Sequence, residues 1–500
     1  MNFLPFVEEG VTLRPGQIKV LETLAAVWDK YDYFLIEAPT GSGKSLLSMT
    51  IARAVGSAHI LTPKKALQHQ YQRDFSDSIA LMMGRSNYPC FWNNKDTALE
   101  KEATALILDN RSASHLSSTN CGGDYVPCKK RSVLERCGKE RECPFVTALT
   151  KATEYRIVVH NNTSFMFHAA LGNKFDLRDV VIVDECHTLE SAVRGMGVKT
   201  LSIPHKHIPK DLSMSNLKVF LEEYSAHIVL EEELAACSSF MNSLPKRGSL
   251  QVYENEIEVT PLDLGNLASR FVFSFGKKTV MMSGTIYDKA TFCRNINLPE
   301  DSVFFYSIPS DFPVSQRPIR VPSKLAVDTS HKMFEETKEQ LAESVKSVLN
   351  TFHDKKGIIH TGSYVMTEWV KALDKRIVVP DRRDMAKQIE AFKTAKTPLV
   401  LASPAISEGF DFAGDSARFQ ILLRVPYPSK ADPFVKAKSE NNFSWMNYQA
   451  LVTFGQQIGR IVRSDDDWGY TILLDSRYRK FISDNRSRIP NWILEAVNTS

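Results

Sequence analysis

The sequence predicts an α/β protein built from two parallel-sheet domains, the first interrupted by two insertions. Three observations carry this expectation. An apolar run, Tyr33-Phe34-Leu35-Ile36, leads into Ala38-Pro39-Thr40-Gly41-Ser42-Gly43-Lys44-Ser45, and helix-forming residues follow from Leu46 to Ala54. Strand, glycine loop and helix in that order form the parallel-sheet unit that cradles phosphate. Four consecutive branched aliphatics, Val180-Val181-Ile182-Val183, end in Asp184-Glu185, as in a strand buried on both faces with acids at its carboxyl end. The second half repeats the rhythm of strands and helices without a second glycine–lysine loop.

Length and composition bound the reading. Five hundred residues suit about three domains, inserted ones included. With 43% hydrophobic and 24% charged residues the chain has the balance of a soluble globular protein. A net charge of only +4 means that nucleic-acid binding needs local basic patches. Met1 to Gly10 carries Glu8 and Glu9 and no long apolar core, so no secretory leader is expected. No stretch reaches the length of a membrane span. A location in the cytoplasm, or in the nucleus where there is one, is expected.

Along the chain, Arg14-Pro15-Gly16-Gln17 precedes a helix expected from Ile18 to Asp29, and the Gln17 amide suits the edge of an adenine base. In the loop, Gly41 and Gly43 let backbone N–H groups around Thr40 and Ser42 face an anion at a helix N-terminus. Lys44 suits the β- and γ-phosphates of ATP, and the Ser45 hydroxyl suits Mg²⁺. Ala58 to Pro63 reads as a strand and Lys64 to Phe75 as a polar helix. From residue 84 to 148 periodicity fades. Five of the eight cysteines (Cys90, Cys121, Cys128, Cys137 and Cys143) lie there, pointing to a metal centre sooner than to disulfides. Strands resume at Arg156 to His160 and Val180 to Val183; Asp184 suits Mg²⁺, and Glu185 the attacking water. Residues 198–262, acidic in part, read as a short helical insertion. Lys278 to Thr285 reads as a strand ending in Ser283-Gly284-Thr285 and closes the first domain near 290. The second domain, 291–500, has strands expected at Gly357 to Thr361, Arg376 to Val379, Pro398 to Ala402 and Phe419 to Leu423. Near its end stands Gln456-Gln457-Ile458-Gly459-Arg460-Ile461-Val462-Arg463. On a helix, Arg460 and Arg463 share a face, as two guanidiniums meeting a γ-phosphate would.

Taken together, these stretches resemble the motifs of superfamily-two helicases, and within them the XPD/DinG type with an iron–sulfur cluster. Ala38 to Ser45 is similar to that superfamily's first motif, Asp184-Glu185-Cys186-His187 to its second with cysteine for alanine, and Ser283-Gly284-Thr285 to its third. Ser407 to Asp411 and Gln456 to Arg463 resemble the fifth and sixth. The resemblance implies two RecA-like domains with ATP and Mg²⁺ between them, Gly409 and Asp411 on the nucleotide side, and Gln456, Arg460 and Arg463 beside Glu185 in hydrolysis. It also implies a cluster insertion at 84–148 and a helical arch at 198–262. The activity implied is ATP-driven movement on single-stranded DNA with 5′-to-3′ unwinding of forked DNA, by a monomer, in DNA repair or replication. A 4Fe–4S cluster is expected on Cys90, Cys128, Cys137 and Cys143, with Cys121 as the alternate for Cys128. Four thiolates also suit Zn²⁺, although no C-x-x-C pair is present. Two other readings stay open: an RNA helicase or non-unwinding translocase, which would share these motifs, and a nucleic-acid-binding module with a structural zinc site.

Overall fold

Short apolar runs build the first sheet. Its opening strands are β1 (Tyr33–Glu37), β2 (Ala58–Thr62), β3 (Ala80–Met82), β4 (Ile157–Asn161) and β5 (Arg178–Asp184). The strands β6 (Lys199–Ser202), β7 (Gly248–Val252) and β8 (Glu256–Pro261) belong to an insertion, after which β9 (Gly276–Ser283) and β10 (Val303–Ser307) return to the first sheet. The structure, a computed structural model, describes residues 1–39, 41–84, 87–88, 144–170, 175–406, 410–440, 442–463 and 466–498.

The seven strands are ordered β10-β1-β9-β5-β2-β4-β3 and every pair is parallel. Successive side chains of a strand point to opposite faces, so a sheet covered on both sides needs apolar residues in unbroken runs. Phe34 and Ile36 pack on one face with Leu21, Leu47 and Ile51, whereas Leu35 packs on the other with Phe165, Leu189 and Phe271. Register then fixes the site. Glu37 of β1 is level with Ser283 of β9, and Asp184 of β5 is level with Met282. The phosphate loop, the acid pair and Ser283-Gly284-Thr285 thus leave one edge of three adjacent strands.

The second sheet contains β11 (Ile319–Arg320), β12 (Gly357–His360), β13 (Ile377–Val378), β14 (Val400–Ser403), β15 (Phe419–Leu422), β16 (Tyr470–Leu473) and β17 (Val497–Asn498). Its order is β13-β14-β12-β15-β16-β11-β17, again all parallel. Because β10 still belongs to the first sheet, the chain crosses between Ser307 and Ile319, beyond the boundary expected at 290. One helix of the second domain, Phe443–Ile458, places Tyr448, Leu451 and Phe454 in the same apolar cluster as Leu189 and Ile286 of the first.

Both insertions can be placed on this frame. At 198–262, helices Leu217–Ser225 and Glu231–Asn242 stand beside the antiparallel sheet β6-β8-β7, so the expectation of a short helical insertion is corrected to a mixed one. The reason is the strict alternation of Glu256 to Pro261, whose odd-numbered members are buried. The cysteine-rich stretch lies largely outside the described residues, but its two ends are described. Tyr88 and Phe145 meet edge to face with ring centroids 5.8 Å apart, and Tyr88 Oη accepts the Met83 N–H at 3.0 Å. These residues stand between β3 and β4, which are neighbours in the sheet.

Candidate active site

The phosphate loop takes its shape from two glycines. Gly41 and Gly43 have φ of 81° and 78°, a left-handed backbone that few other residues adopt at low cost. A side chain at Gly43 would also collide with Gln17, since a Cβ there would lie 2.2 Å from Gln17 Nε2. Gly43 caps the helix Lys44–Val55, so Lys44 stands in its first turn. Gln17 is buried and tied at both ends. Its Oε1 accepts the Arg14 N–H at 2.8 Å, and its Nε2 donates to the Ser42 carbonyl at 2.9 Å. The Gln17 amide thereby braces the loop from the position at which an adenine contact is expected. Arg14 Nη1 adds a bond to the Gly41 carbonyl at 2.7 Å. Ser42 Oγ is buried and finds no hydrogen-bond partner among the described residues. Thr40 lies outside them.

Facing the loop is the acid pair. Lys44 Nζ is 3.4 Å from Glu185 Oε1, and His187 Nδ1 is 3.3 Å from Glu185 Oε2. Glu185 itself has φ of 53°, a strained conformation for a residue with a side chain, and of a kind that clusters at functional sites. Asp184 accepts the Glu185 N–H through Oδ1 at 2.9 Å and the Tyr71 hydroxyl through Oδ2 at 3.3 Å. Burial and the neighbouring Glu185 charge push the Asp184 carboxyl up to about 6, against the pull of Lys44. Burial also works against the Glu185 charge, but Lys44, His187 and Arg460 together hold its carboxyl below the ordinary carboxylate range. Tyr71 was not legible as a site residue. It is the buried aromatic of a helix that reads as polar, and its hydroxyl also bonds Ser45 and Ser48. It thereby links the Ser45 hydroxyl to the Asp184 carboxylate.

The second domain closes the site from the other side. His187 Nδ1 and Ser283 Oγ are 2.8 Å apart, and Ser283 Oγ is 3.4 Å from Thr285 Oγ1. Gln456 Nε2 donates to Thr285 Oγ1 at 2.8 Å across the domain boundary. Arg460 Nη2 donates to Gln456 Oε1 at 2.8 Å, and its Nη1 to the Phe410 carbonyl at 2.8 Å. The expectation that Arg460 and Arg463 share a helical face is corrected: the helix ends at Ile458 with Gly459 as its cap, and both arginines follow it. Arg463 turns instead to Asp411, with Nε 2.6 Å from Oδ1, while its carbonyl lies against Gly41. Gly409 lies outside the described residues, as do Cys90, Cys121, Cys128, Cys137 and Cys143. Among the described residues no group of three or more His, Cys, Asp or Glu is arranged to hold a metal, and Cys186, Cys237 and Cys293 are free and buried.

Comparison with known proteins adds to this geometry. A family model described as the helicase C-terminal domain matches residues 323–496, and one described as the res subunit of type III restriction enzymes matches 10–215. The ATP-dependent DNA helicase YoaA of Escherichia coli K12 is 22% identical over an alignment of 603 positions including gaps, covering 94% of this chain and 92% of that one. The 3′-5′ exonuclease DinG of Bacillus subtilis is 35% identical over 101 residues, covering 19% of this chain and 11% of that one. The XPD subunit of the Dictyostelium discoideum general transcription and DNA repair factor IIH is 32% identical over 107 residues, 13% of its length. Among solved structures, an XPD helicase superposes with a TM-score of 0.65 at 14% identity, covering 98% of this chain and all of that one. An apo form of XPD superposes with a TM-score of 0.60 at 13% identity, over 94% and 98%.

Proposed function

We propose that this chain, a superfamily-two helicase of the XPD/DinG type, is an ATP-dependent DNA helicase that hydrolyses ATP between its two parallel-sheet domains, moves along single-stranded DNA and unwinds it 5′ to 3′. One observation carries the reading. An unbroken line of polar contacts runs from Lys44 through Glu185, His187, Ser283, Thr285 and Gln456 to Arg460, joining the loop of one domain to the arginine of the other. A nucleotide in the cleft would touch both ends of that line, which is how hydrolysis can be coupled to relative domain movement.

The residues present fit Mg²⁺–ATP. The Gly41 and Gly43 turns, the helix N-terminus and Lys44 make an anion cradle, and Ser45 and Asp184 supply hard oxygen donors on either side of Tyr71. Asp184, buried beside the Glu185 carboxylate, has its charged form disfavoured, which a divalent cation at its oxygens would relieve. Bound there, Mg²⁺ would shield the phosphate charges. Lys44 would leave Glu185 for the phosphates, which frees the Glu185 carboxylate to orient water and take its proton. Arg460 and Arg463 would exchange their resting partners, Gln456 and Asp411, for charge developing on the transferred group.

The proposal extends to a 4Fe–4S cluster on Cys90, Cys128, Cys137 and Cys143, with Cys121 as the alternate ligand, between the Tyr88 and Phe145 stems. It also takes forked DNA as the substrate and a monomer as the working unit. The motor is tested by ATP turnover with and without single-stranded DNA or RNA, and by strand displacement on forks with 5′ or 3′ tails. Stimulation by DNA and displacement from a 5′ tail are expected. Stimulation by RNA alone, or no displacement from either tail, would overturn it. The cluster is tested by metal analysis of anaerobically purified protein: about four irons per chain and a yellow-brown colour are expected. Colourless protein with stoichiometric zinc would replace it with a zinc site.

A further inference from the structure

Glu37 is the last residue of β1, one position before the phosphate loop begins, and only 2% of it is exposed. Its Oε1 accepts two consecutive backbone N–H groups, from Ile286 at 3.2 Å and Tyr287 at 2.7 Å. Its Oε2 accepts the Ser307 hydroxyl at 2.7 Å. Ile286 and Tyr287 directly follow Thr285, the residue that receives Gln456 from the second domain. Tyr287 is left-handed, with φ of 58°, a conformation that a bulky side chain holds only when its surroundings impose it. Consecutive N–H groups in such a turn form a small anion-binding concavity, and the Glu37 carboxylate fills it.

The turn is also where the second domain rests. A Cβ at Gly455 would lie 1.7 Å from Tyr287 Oη and 2.7 Å from Thr285 Cγ2, so only glycine lets the helix Phe443–Ile458 sit down on it. Gln456 is the next residue, and Arg460 hangs from Gln456 by two bonds. Where the turn stands therefore decides where the arginine stands. Ser307, the third partner of Glu37, ends β10, the last strand of the first sheet before the chain crosses over.

We propose that Glu37 is a positioning residue for hydrolysis: it ties the Thr285–Tyr287 turn and the start of the domain crossing to the phosphate-loop strand, so that Arg460 is set in register with Lys44 and Glu185. The inference rests on the ATP-hydrolysis reading above. Glu37 touches none of the reacting atoms, and its effect passes through the turn. A bland reading also exists, in which the carboxylate only satisfies buried N–H groups and supports the fold.

The two readings are separated by steady-state ATPase assays, with and without single-stranded DNA, on the full chain and on Glu37→Ala, Glu37→Gln and Ser307→Ala. In Glu37→Gln the amide oxygen can still accept both backbone N–H groups and its NH₂ can donate to Ser307. Glu37→Ala is expected to lower DNA-stimulated kcat roughly tenfold or more with KM for ATP within about twofold, the pattern of a lost transition-state arrangement. Glu37→Gln is expected to recover most of that rate, and Ser307→Ala to show a smaller fall in kcat at the same KM. The proposal is overturned if Glu37→Ala turns over like the unaltered chain, or if Glu37→Gln is as impaired as Glu37→Ala. Should Glu37→Ala fail to fold, Ser307→Ala decides: an unchanged kcat overturns the proposal. An unaltered chain that hydrolyses no ATP overturns the functional reading as well, whereas normal turnover in the variants overturns this inference alone.

Discussion

The indole N–H of Trp445, in the second domain, donates to the Glu190 carboxylate, in the first, at 3.0 Å. Gln449 adds a second bond from the same helix at 3.1 Å, and Arg194 pairs with Glu190 while lying 3.9 Å over the Phe434 ring. Glu190 is five residues beyond Glu185, in the helix Leu189–Gly197, so the contact ties the helix that follows the acid motif to the second domain. Glu190→Ala would leave the buried Arg194 guanidinium without its carboxylate, a loss of roughly 3–5 kcal/mol for a buried pair. Trp445→Phe removes one hydrogen bond and is expected to lose about 1–3 kcal/mol. Urea unfolding measures both. Equal stability of Glu190→Ala and the unaltered chain would show that the pair contributes nothing to the domain seam.

Lys44→Ala and Glu185→Gln should fail in different ways. Removing Lys44 takes the cation from the phosphate site, so both nucleotide binding and hydrolysis should fall. Glu185→Gln leaves Ser45, Asp184 and Tyr71 in place and removes only the carboxylate that takes a proton, typically about 10²–10⁴-fold in rate. Its nucleotide affinity should persist. Fluorescent-nucleotide binding alongside turnover distinguishes the two; a parallel loss of both in Glu185→Gln would make that residue structural.

The two arginines are not equivalent in the structure. Arg460 is buried and held by Gln456 and the Phe410 carbonyl, whereas Arg463 is fastened by Asp411 at 2.6 Å. Arg460→Ala should lower hydrolysis by roughly 10³–10⁵ with modest change in ATP affinity, as for a guanidinium acting on transition-state charge. Gln456→Ala should reproduce part of that loss by removing one of the bonds that orient the arginine. Arg463→Ala is expected to follow Arg460→Ala in direction. Single-turnover rates check the set, and normal rates for both arginine variants would return them to a structural role.

Acid should weaken the fold through three buried histidines. Burial lowers His59 from its ordinary 6.5 to about 4 and His360 to about 3, and drives His160 down as well, helped by neighbouring positive charge. His59 Nδ1 and His160 Nε2 are 3.1 Å apart, so protonating both is doubly unfavourable. In the unfolded chain the three take protons near 6.5, so below that pH the unfolded state binds more protons. Their stabilisation is complete above about pH 6.5 and declines as pH falls toward 4, by up to about 1.4 kcal/mol per pH unit for each. His360→Gln should remove one share of that slope. Urea midpoints at pH 7 and pH 5 provide the measurement, and identical midpoints would refute it.

What the sequence showed and what it hid divide on physical grounds. Strands β1 and β5 stand out because they are buried on both faces and so carry four consecutive apolar residues each. The phosphate loop stands out because left-handed turns need glycine. β10 was missed: Phe304, Phe305 and Tyr306 are only half-buried at the sheet edge, and the domain boundary moved with it. Of the site, Lys44, Glu185, Gln456 and Arg460 come together as the motifs suggest. The Gln17 contact to the Ser42 carbonyl had no signal in the sequence, since an amide can serve a base or a loop equally well. Tyr71 and Glu37 had no local signal, because the Asp184 carboxylate that Tyr71 meets and the Ile286–Tyr287 backbone that Glu37 meets lie more than a hundred residues away in sequence.

The contact between Tyr88 and Phe145 has a consequence for how this motor can change. The chain departs after β3 and re-enters before β4, at one edge of the sheet, and the two rings close the gate behind it. The entropy of closing such a loop grows only logarithmically, by about 0.6 kcal/mol for each doubling of length. Whatever lies between the rings can therefore be shortened, enlarged or exchanged with little effect on the sheet that hydrolyses ATP. The stem makes that stretch a replaceable cartridge, exchangeable without rebuilding the sheet it is plugged into.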